Sequence, residues 1–118
     1  MTSVARSRGT RTDAVAPTLI EVGSLSIDLA RREVRVDGEP VRLTRKEFNL
    51  LRILARHAGR ILTHQQLLRE VWGEAHKEDT HYLRVFIGQL RHKLDDDPAK
   101  PRFILNEPGV GYRLLTPG

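Results

Sequence analysis

The side chains best suited to a chemical task lie between residues 80 and 94. This stretch contains Arg84, Arg91 and Lys93, together with Gln89 and two histidines, and it contains no aspartate or glutamate. Arginine and glutamine donate hydrogen bonds to the edges of bases, and cations compensate the charge of phosphates. These residue types therefore suggest a surface that binds nucleic acid.

A helix over these residues would separate the polar side chains from an apolar stripe. At about 100° per residue, one face holds Leu83, Ile87, Leu90 and Leu94. The opposite, exposed face is expected to hold His81, Val85, Gly88 and His92, with Arg84 and Arg91 along one flank and Gln89 toward the other. A solvated helix usually mixes charges, because pairs of opposite sign four residues apart stabilise it. The lack of acids favours contact with the major groove of DNA, and a merely solvated face is the alternative.

Gly88 lies in the middle of this predicted helix. Glycine at such a position costs about 1 kcal/mol relative to alanine. Either a partner approaches the backbone closely here, or the helix simply tolerates the cost.

Other chemistries find little support. The chain has no cysteine, which excludes disulfides, zinc ribbons and thiol nucleophiles. His76 and His81 lie five residues apart without a third ligand at a compatible spacing, so no metal site is expected. The sequence has no glycine-rich phosphate loop and no nucleophile motif. We therefore expect neither an enzyme nor a bound cofactor.

Periodicity and capping signals define the elements around this helix. Residues 18–43 alternate between apolar and polar, with Asp37-Gly38 as a hairpin signal, and predict four short antiparallel strands. Thr44–Glu47 and Thr63–Gln66 have the pattern of capping boxes, so each begins a helix. A turn at Pro108-Gly109 predicts a C-terminal hairpin. The predicted class is α+β, with the element order of a winged helix-turn-helix.

Three acids, Asp95, Asp96 and Asp97, follow the third helix. Negative charge at a helix C-terminus is electrostatically unfavourable. We therefore expect a solvated loop, or a charged patch that meets a neighbouring protomer.

Length and composition bound the remaining possibilities. The chain has 118 residues, of which 39% are hydrophobic and 30% charged, and a formal net charge of +5. This allows one domain, placed at residues 18–118, preceded by a disordered tail or linker at residues 1–17. No apolar run approaches the roughly 18 residues that span a bilayer, and the N-terminus does not look like a secretory signal. We expect a cytoplasmic protein without membrane contact.

Four ordered motifs resemble the effector domain of OmpR/PhoB-type response regulators. They are Leu43-Thr44-x-x-Glu47-Phe48-x-Leu50-Leu51, Leu62-Thr63-x-x-Gln66-Leu67-Leu68-x-x-Val71-Trp72, Leu90-Arg91-x-Lys93-Leu94 and Gly109-x-Gly111-Tyr112-Arg113. The resemblance extends over about residues 19–115. It implies a winged helix-turn-helix in which the third helix enters the major groove and the C-terminal hairpin enters an adjacent minor groove.

Together with the two faces of the third helix, the resemblance assigns roles to individual residues. The side chains predicted to read base edges are Arg84, Val85, Gly88, Gln89 and His92. Those predicted to contact phosphates are His64, Trp72, His81, Arg91, Lys93 and Tyr112. Trp72 is explained equally well as a packing residue, and for Tyr112 packing in the core is the first explanation. The hairpin is expected to contribute Asn106, Gly109 and Arg113, and the loop facing RNA polymerase Glu74, His76, Lys77 and Glu78.

The resemblance also implies partners. They are double-stranded DNA with direct-repeat half-sites, RNA polymerase, an N-terminal receiver domain and the sensor kinase that acts on that domain. The chain is expected to be a monomer without DNA and a tandem pair on it. Within the family, His81-Tyr82-Leu83-Arg84, Gly88 and Asp97-Pro98-Ala99-x-Pro101-Arg102 most resemble regulators of potassium-transport operons. The alternative from another class is a winged-helix protein-interaction module without specific DNA binding.

Overall fold

Strands and helices follow one another in the predicted order. The structure, a computed structural model, describes residues 18–76 and 79–115. Within these ranges the strands are β1 Leu19–Val22, β2 Leu25–Asp28, β3 Glu33–Val36, β4 Glu39–Val41, β5 Leu62–Thr63, β6 Ile104–Glu107 and β7 Gly111–Leu114. The helices are α1 Arg45–Arg56, α2 His64–Trp72 and α3 Thr80–Leu94, with a 3-10 turn at Glu74–His76. The predicted α+β class is confirmed, and the predicted tail at residues 1–17 lies outside the described residues.

The N-terminal sheet is an antiparallel meander in the order β1-β2-β3-β4. Neighbouring residues of a strand point to opposite faces, so the apolar alternation directs one set of side chains inward. The turn between β3 and β4 uses Asp37 and Gly38, whose φ angles of 53° and 82° are left-handed. The inward side chains of this sheet join the same core as the helices: Val22, Leu25, Ile27, Val34 and Val36.

Side-chain caps determine where α1 and α2 begin. The Thr44 hydroxyl accepts the Glu47 N–H at 3.2 Å, and the Glu47 carboxylate accepts the Thr44 N–H at 2.9 Å. Thr63 and Gln66 repeat this pattern at 3.1 and 2.8 Å. Both predicted capping boxes are confirmed. Gly73, with a φ of 102°, ends α2.

Helix α3 packs its apolar side against α1 and α2. The four side chains predicted to form this side are all buried: Leu83, Ile87, Leu90 and Leu94. They share the core with buried residues of the other two helices: Leu50, Leu51, Leu54, Leu67 and Leu68. This packing fixes the rotation of α3 about its own axis.

A second sheet joins the helices to the C-terminal hairpin of β6 and β7, which we call the wing. Its order is β5-β7-β6, and the two-residue strand β5 pairs Thr63 with Gly111. A Cβ added at Gly111 would lie 1.8 Å from the Leu62 carbonyl oxygen. Glycine is therefore required where β5 and the wing approach each other.

Gly111→Ala is expected to lower the melting temperature, because the new methyl group would overlap the backbone of β5. Overpacking of this kind costs about 1–3 kcal/mol or more, which for a domain of this size corresponds to roughly 4–20 °C. Gly109→Ala is the matched control in the same hairpin, since among the described residues its Cβ meets nothing within 4 Å and only its φ of +75° is unfavourable. Equal melting temperatures for the two variants in circular dichroism would contradict this role of Gly111.

Candidate nucleic-acid interface

The exposed side of α3 is the most accessible part of the candidate site. The residues exposed on it are His81, Arg84, Val85, Gly88, Gln89 and His92. Among the described residues, no hydrogen bond or ion pair engages the Arg84 side chain. The predicted division of α3 into a buried apolar side and an exposed side is confirmed, with the correction for Arg91 given below.

Gly88 leaves the backbone of α3 bare at the centre of this exposed side. Apart from the adjoining backbone of α3 itself, a Cβ added at Gly88 would meet no atom of the described residues within 4 Å. Packing within the chain thus gives no reason for a glycine here, in contrast to Gly111. The two explanations are the close approach of a partner and simple tolerance.

The prediction that Arg91 lies on the exposed flank of α3 is wrong. Arg91 is 6% exposed, and its Nη1 lies 3.5 Å from Oδ2 of Asp96. A guanidinium can be buried here because a buried carboxylate pairs with it. Arg91 therefore belongs to the internal framework of the protein, and we do not retain its predicted contact with a phosphate.

Asp96 is also buried, so the prediction of a solvated acidic run is wrong for this residue. Its Oδ1 accepts the Arg102 N–H at 2.6 Å, and its Oδ2 accepts the Ile104 N–H at 2.9 Å. The preceding residue, Asp95, has a φ of 58°. This left-handed conformation, which aspartate adopts more readily than most residues, ends the helix and lets the next side chain turn inward. Asp95 and Asp97 are exposed, as expected.

Lys93 is tied to an acid from another helix. Its Nζ lies 2.6 Å from Oε1 of Glu47, a buried carboxylate of the α1 capping box. Burial by itself raises the pKa of the Glu47 carboxyl. The hydrogen bond and charge of Lys93 and the hydrogen bonds from Thr44 outweigh burial and hold this pKa below its ordinary value. Helix α3 itself contains no acid, but Glu47 of α1 partly neutralises Lys93.

Glu47→Gln is expected to destabilise the domain by about 1–2 kcal/mol at neutral pH, because a charged hydrogen bond to Lys93 is lost. A carboxyl with a lowered pKa in the folded state contributes stability above its unfolded pKa of about 4.3 and loses it as the pH falls through the folded value. Urea unfolding from pH 7 to pH 3 should therefore show the wild type and the variant converging in acid. Glu70→Gln, on the exposed side of α2, is the control and should leave the pH profile unchanged. A constant difference between wild type and Glu47→Gln across this range would contradict the lowered pKa.

A cleft of about 380 Å³ separates α3 from the wing. Arg84, Gly88 and the largely buried Arg91 of α3, His64 at the start of α2, and Asn106 and Tyr112 of the wing contribute to its walls. None of the described residues that line this cleft is acidic. The rings of His64 and Tyr112 meet edge to face with centroids 5.6 Å apart. Two predicted phosphate contacts therefore lie together at one wall, although Tyr112 is largely buried, as its packing explanation predicts.

The wing presents few charged groups at its tip. Asn106 and Gly109 are exposed, and Pro108 lies between them at the turn. Arg113 is directed along the hairpin, where its Nε lies 3.1 Å from Oε2 of Glu107. Of the predicted wing residues, Asn106 and Gly109 are thus more accessible than Arg113.

Trp72 lies in an aromatic cluster that joins the end of α2 to the start of α3. Its ring centroid is 4.8 Å from that of Phe86 and 5.3 Å from that of Tyr82. Tyr82 and Phe86 also contact each other at 5.3 Å. These contacts support the packing explanation for Trp72, and its contact with a phosphate stays a prediction. The site predicted from the sequence did not include this cluster. The spacing of Tyr82 and Phe86 could have indicated it, because residues four apart on a helix are neighbours.

An ion pair and a histidine–carboxylate hydrogen bond flank the connection between α2 and α3. Arg69 Nε lies 3.0 Å from Oε1 of Glu74, and His76 Nδ1 lies 3.0 Å from Oδ2 of Asp79. Asp79 occupies the N-cap position of α3, but its side chain makes no capping hydrogen bond. Two residues of the predicted polymerase-facing loop lie outside the described residues: Lys77 and Glu78.

Within residues 18–76 and 79–115, the longest helices are too short and too polar to cross a membrane. The same ranges contain no group of three or more histidine, aspartate or glutamate side chains arranged to hold a metal ion.

Comparison with known proteins relates this arrangement to a family. Residues 38–114 match the family described as transcriptional regulatory protein, C terminal. The chain belongs to this family. The transcriptional regulatory protein KdpE of Mycobacterium tuberculosis (strain H37Rv) is 45% identical over 107 residues, 91% of this chain and 47% of the relative. The KDP operon transcriptional regulatory protein KdpE of Escherichia coli K12 is 45% identical over 112 residues, 95% of this chain and 49% of the relative. The chain thus spans about half the length of these curated relatives.

Solved structures of family members share the fold. The DNA-binding domain of Klebsiella pneumoniae RstA, in complex with the RstA box, matches with a TM-score of 0.76 and 34% identity over 84% of this chain and 98% of that one. The DNA-binding domain of Escherichia coli CpxR matches with a TM-score of 0.72 and 31% identity over 87% and 100%. Thermotoga maritima DrrB, described as an OmpR/PhoB homologue, matches with a TM-score of 0.73 and 34% identity over 83% and 44%. The resemblance to OmpR/PhoB-type effector domains and the winged-helix fold are confirmed.

Proposed function

We propose that this chain binds double-stranded DNA specifically, as the output domain of a two-component transcriptional regulator. The observation that carries the proposal is the exposed side of α3, which contains no acid. It bears Arg84, which none of the described residues engages, beside a cleft whose described lining residues include no acid. A B-DNA major groove admits one α-helix, and phosphates on either side attract such a surface. The RstA domain, which has the same fold, was solved on its DNA box.

The accessible residues divide into two proposed roles. Arg84, Gln89 and His92 present hydrogen-bonding groups and read base edges, while Val85 offers an apolar contact to a thymine methyl group. Gly88 allows the helix backbone to approach the base pairs closely. The residues left to contact phosphates are His64, His81, Lys93, Trp72 and Tyr112, with Asn106 and Gly109 on the wing. Lys93 contributes less than a free lysine because Glu47 already pairs with it.

Arg84→Ala is expected to weaken binding to specific sites by about 1–3 kcal/mol, because a bidentate contact to a base is lost. Binding to random duplex should change much less. Arg35→Ala is the control, since it removes the same charge from an exposed position in the N-terminal sheet. Fluorescence anisotropy with both duplexes measures the two losses. If the variant loses the same binding free energy on specific and random DNA, Arg84 does not read a base and contacts only a phosphate.

The finer assignment is to the control of a potassium-transport operon. It is supported by the 45% identity to the KdpE proteins of two distant bacteria. We propose that the complete regulator also has a receiver domain addressed by a sensor kinase, and that the loop at Glu74–His76 faces RNA polymerase. Selection of bound sequences from randomised duplex DNA would define the site, and its occurrence upstream of potassium-transport genes would test the assignment.

Two copies of the chain are expected on direct-repeat half-sites, whereas the free chain is a monomer. Sedimentation velocity should give one chain per particle without DNA, one on a single half-site and two on a tandem repeat. A stable dimer without DNA would contradict this arrangement. Indifference to any duplex at low salt would instead contradict the proposed function and favour a protein-interaction module.

A further inference from the structure

One buried carboxylate connects α3 to the wing. Asp96 follows α3 by two residues and is 3% exposed. Its two oxygens accept three backbone N–H groups, those of Arg102, Phe103 and Ile104, at 2.6, 3.4 and 2.9 Å. Ile104 is the first residue of β6, so these bonds hold the base of the wing.

The same carboxylate holds α3 through Arg91. The Arg91 guanidinium, on the last turn of the helix, lies 3.5 Å from Asp96 Oδ2. Both groups are buried, and a buried charge that loses its partner is strongly unfavourable. This ion pair therefore links the end of α3 directly to the base of the wing, in addition to the core packing and the pairing of β5 with β7.

We infer that Arg91 and Asp96 are positioning residues that set the angle between α3 and the wing, so that both elements meet the same duplex. This inference rests on the proposed function. In this role Arg91 holds the end of α3, and Asp96 holds the backbone of residues 102–104 at the base of the wing.

Asp96→Asn separates positioning from electrostatics. Removing an acid beside DNA strengthens binding if only net charge matters, because DNA is an anion. If Asp96 positions the wing, the same change weakens binding to the specific site by about tenfold, comparable to the loss of one base contact. Binding to random duplex should fall less, and the slope of log K against log salt should stay unchanged. Tighter binding, or affinity equal to wild type, would overturn the inference.

Arg91→Gln tests the other partner. If Arg91 is a positioning residue, the variant loses affinity for the specific site while the slope of log K against log salt stays unchanged. If Arg91 contacts a phosphate directly, the magnitude of that slope falls by about 0.9. The losses of Arg91→Gln and Asp96→Asn should not add in the double variant, because both break one interaction. Arg84→Gln, on the same helix, is the matched control and should add to Asp96→Asn. Additive losses for Arg91→Gln, or a reduced slope, would overturn the inference.

Hydrogen exchange without DNA tests the link independently of the proposed function. Arg91→Gln should speed exchange of the Ile104 amide while leaving core amides of α1 unchanged. An unchanged Ile104 amide in this variant would overturn the inference even if the wild type binds DNA tightly. Faster exchange in a chain that binds no duplex would instead keep the link and remove the proposed function.

Discussion

Burial of the apolar side of α3 is the constraint on which the rest of the structure depends. Because Leu83, Ile87, Leu90 and Leu94 must face the other helices, the helix cannot rotate about its axis. The fixed orientation of the helix leaves Arg84 and Gln89 in solvent. It also places Arg91 at the edge of the core, where it pairs with Asp96. The exposed surface is thus in the first place a consequence of core packing.

Two carboxylates outside α3 complete its placement. Glu47 belongs to α1 and pairs with Lys93, while Asp96 lies two residues after α3, holds the base of the wing and pairs with Arg91. The first pair partly neutralises a lysine that stays exposed, and the second buries an arginine. Buried and partly buried pairs add little net stability compared with apolar packing, but a wrong arrangement would leave their charges uncompensated. Two of the cations of α3 therefore help to hold the helix in place, and the net positive charge of its surface is smaller as a result.

Features encoded within a few residues were predicted well. The capping boxes at Thr44 and Thr63, the Asp37-Gly38 turn and the apolar period of α3 all depend on neighbours in the chain, and all appear as expected. The fold follows from these signals because each specifies an element and its boundary. The division of α3 into two sides required only the helical repeat.

Features that depend on distant partners were not predictable in the same way. Glu47 and Lys93 are 46 residues apart, so the neutralisation of Lys93 could not be inferred from the charge pattern of α3. Asp95, Asp96 and Asp97 look alike in the sequence, and the left-handed conformation of Asp95 decides which of them is buried. The need for glycine at position 111 appears only when β5 lies against it. The contacts of the exposed residues with bases and phosphates stay predictions.

The wing is fastened along its length. Backbone hydrogen bonds join Gly59 to Leu114 at 2.7 Å and the His64 N–H to the Val110 carbonyl at 3.2 Å. The second of these bonds reaches the turn of the hairpin itself, so the tip of the wing is joined to the start of α2. In the proposed function, α3 and the wing meet the duplex at a fixed spacing, so the DNA has to adapt its shape to the domain. The width and flexibility of the grooves thereby enter the choice of binding site alongside the identity of the bases.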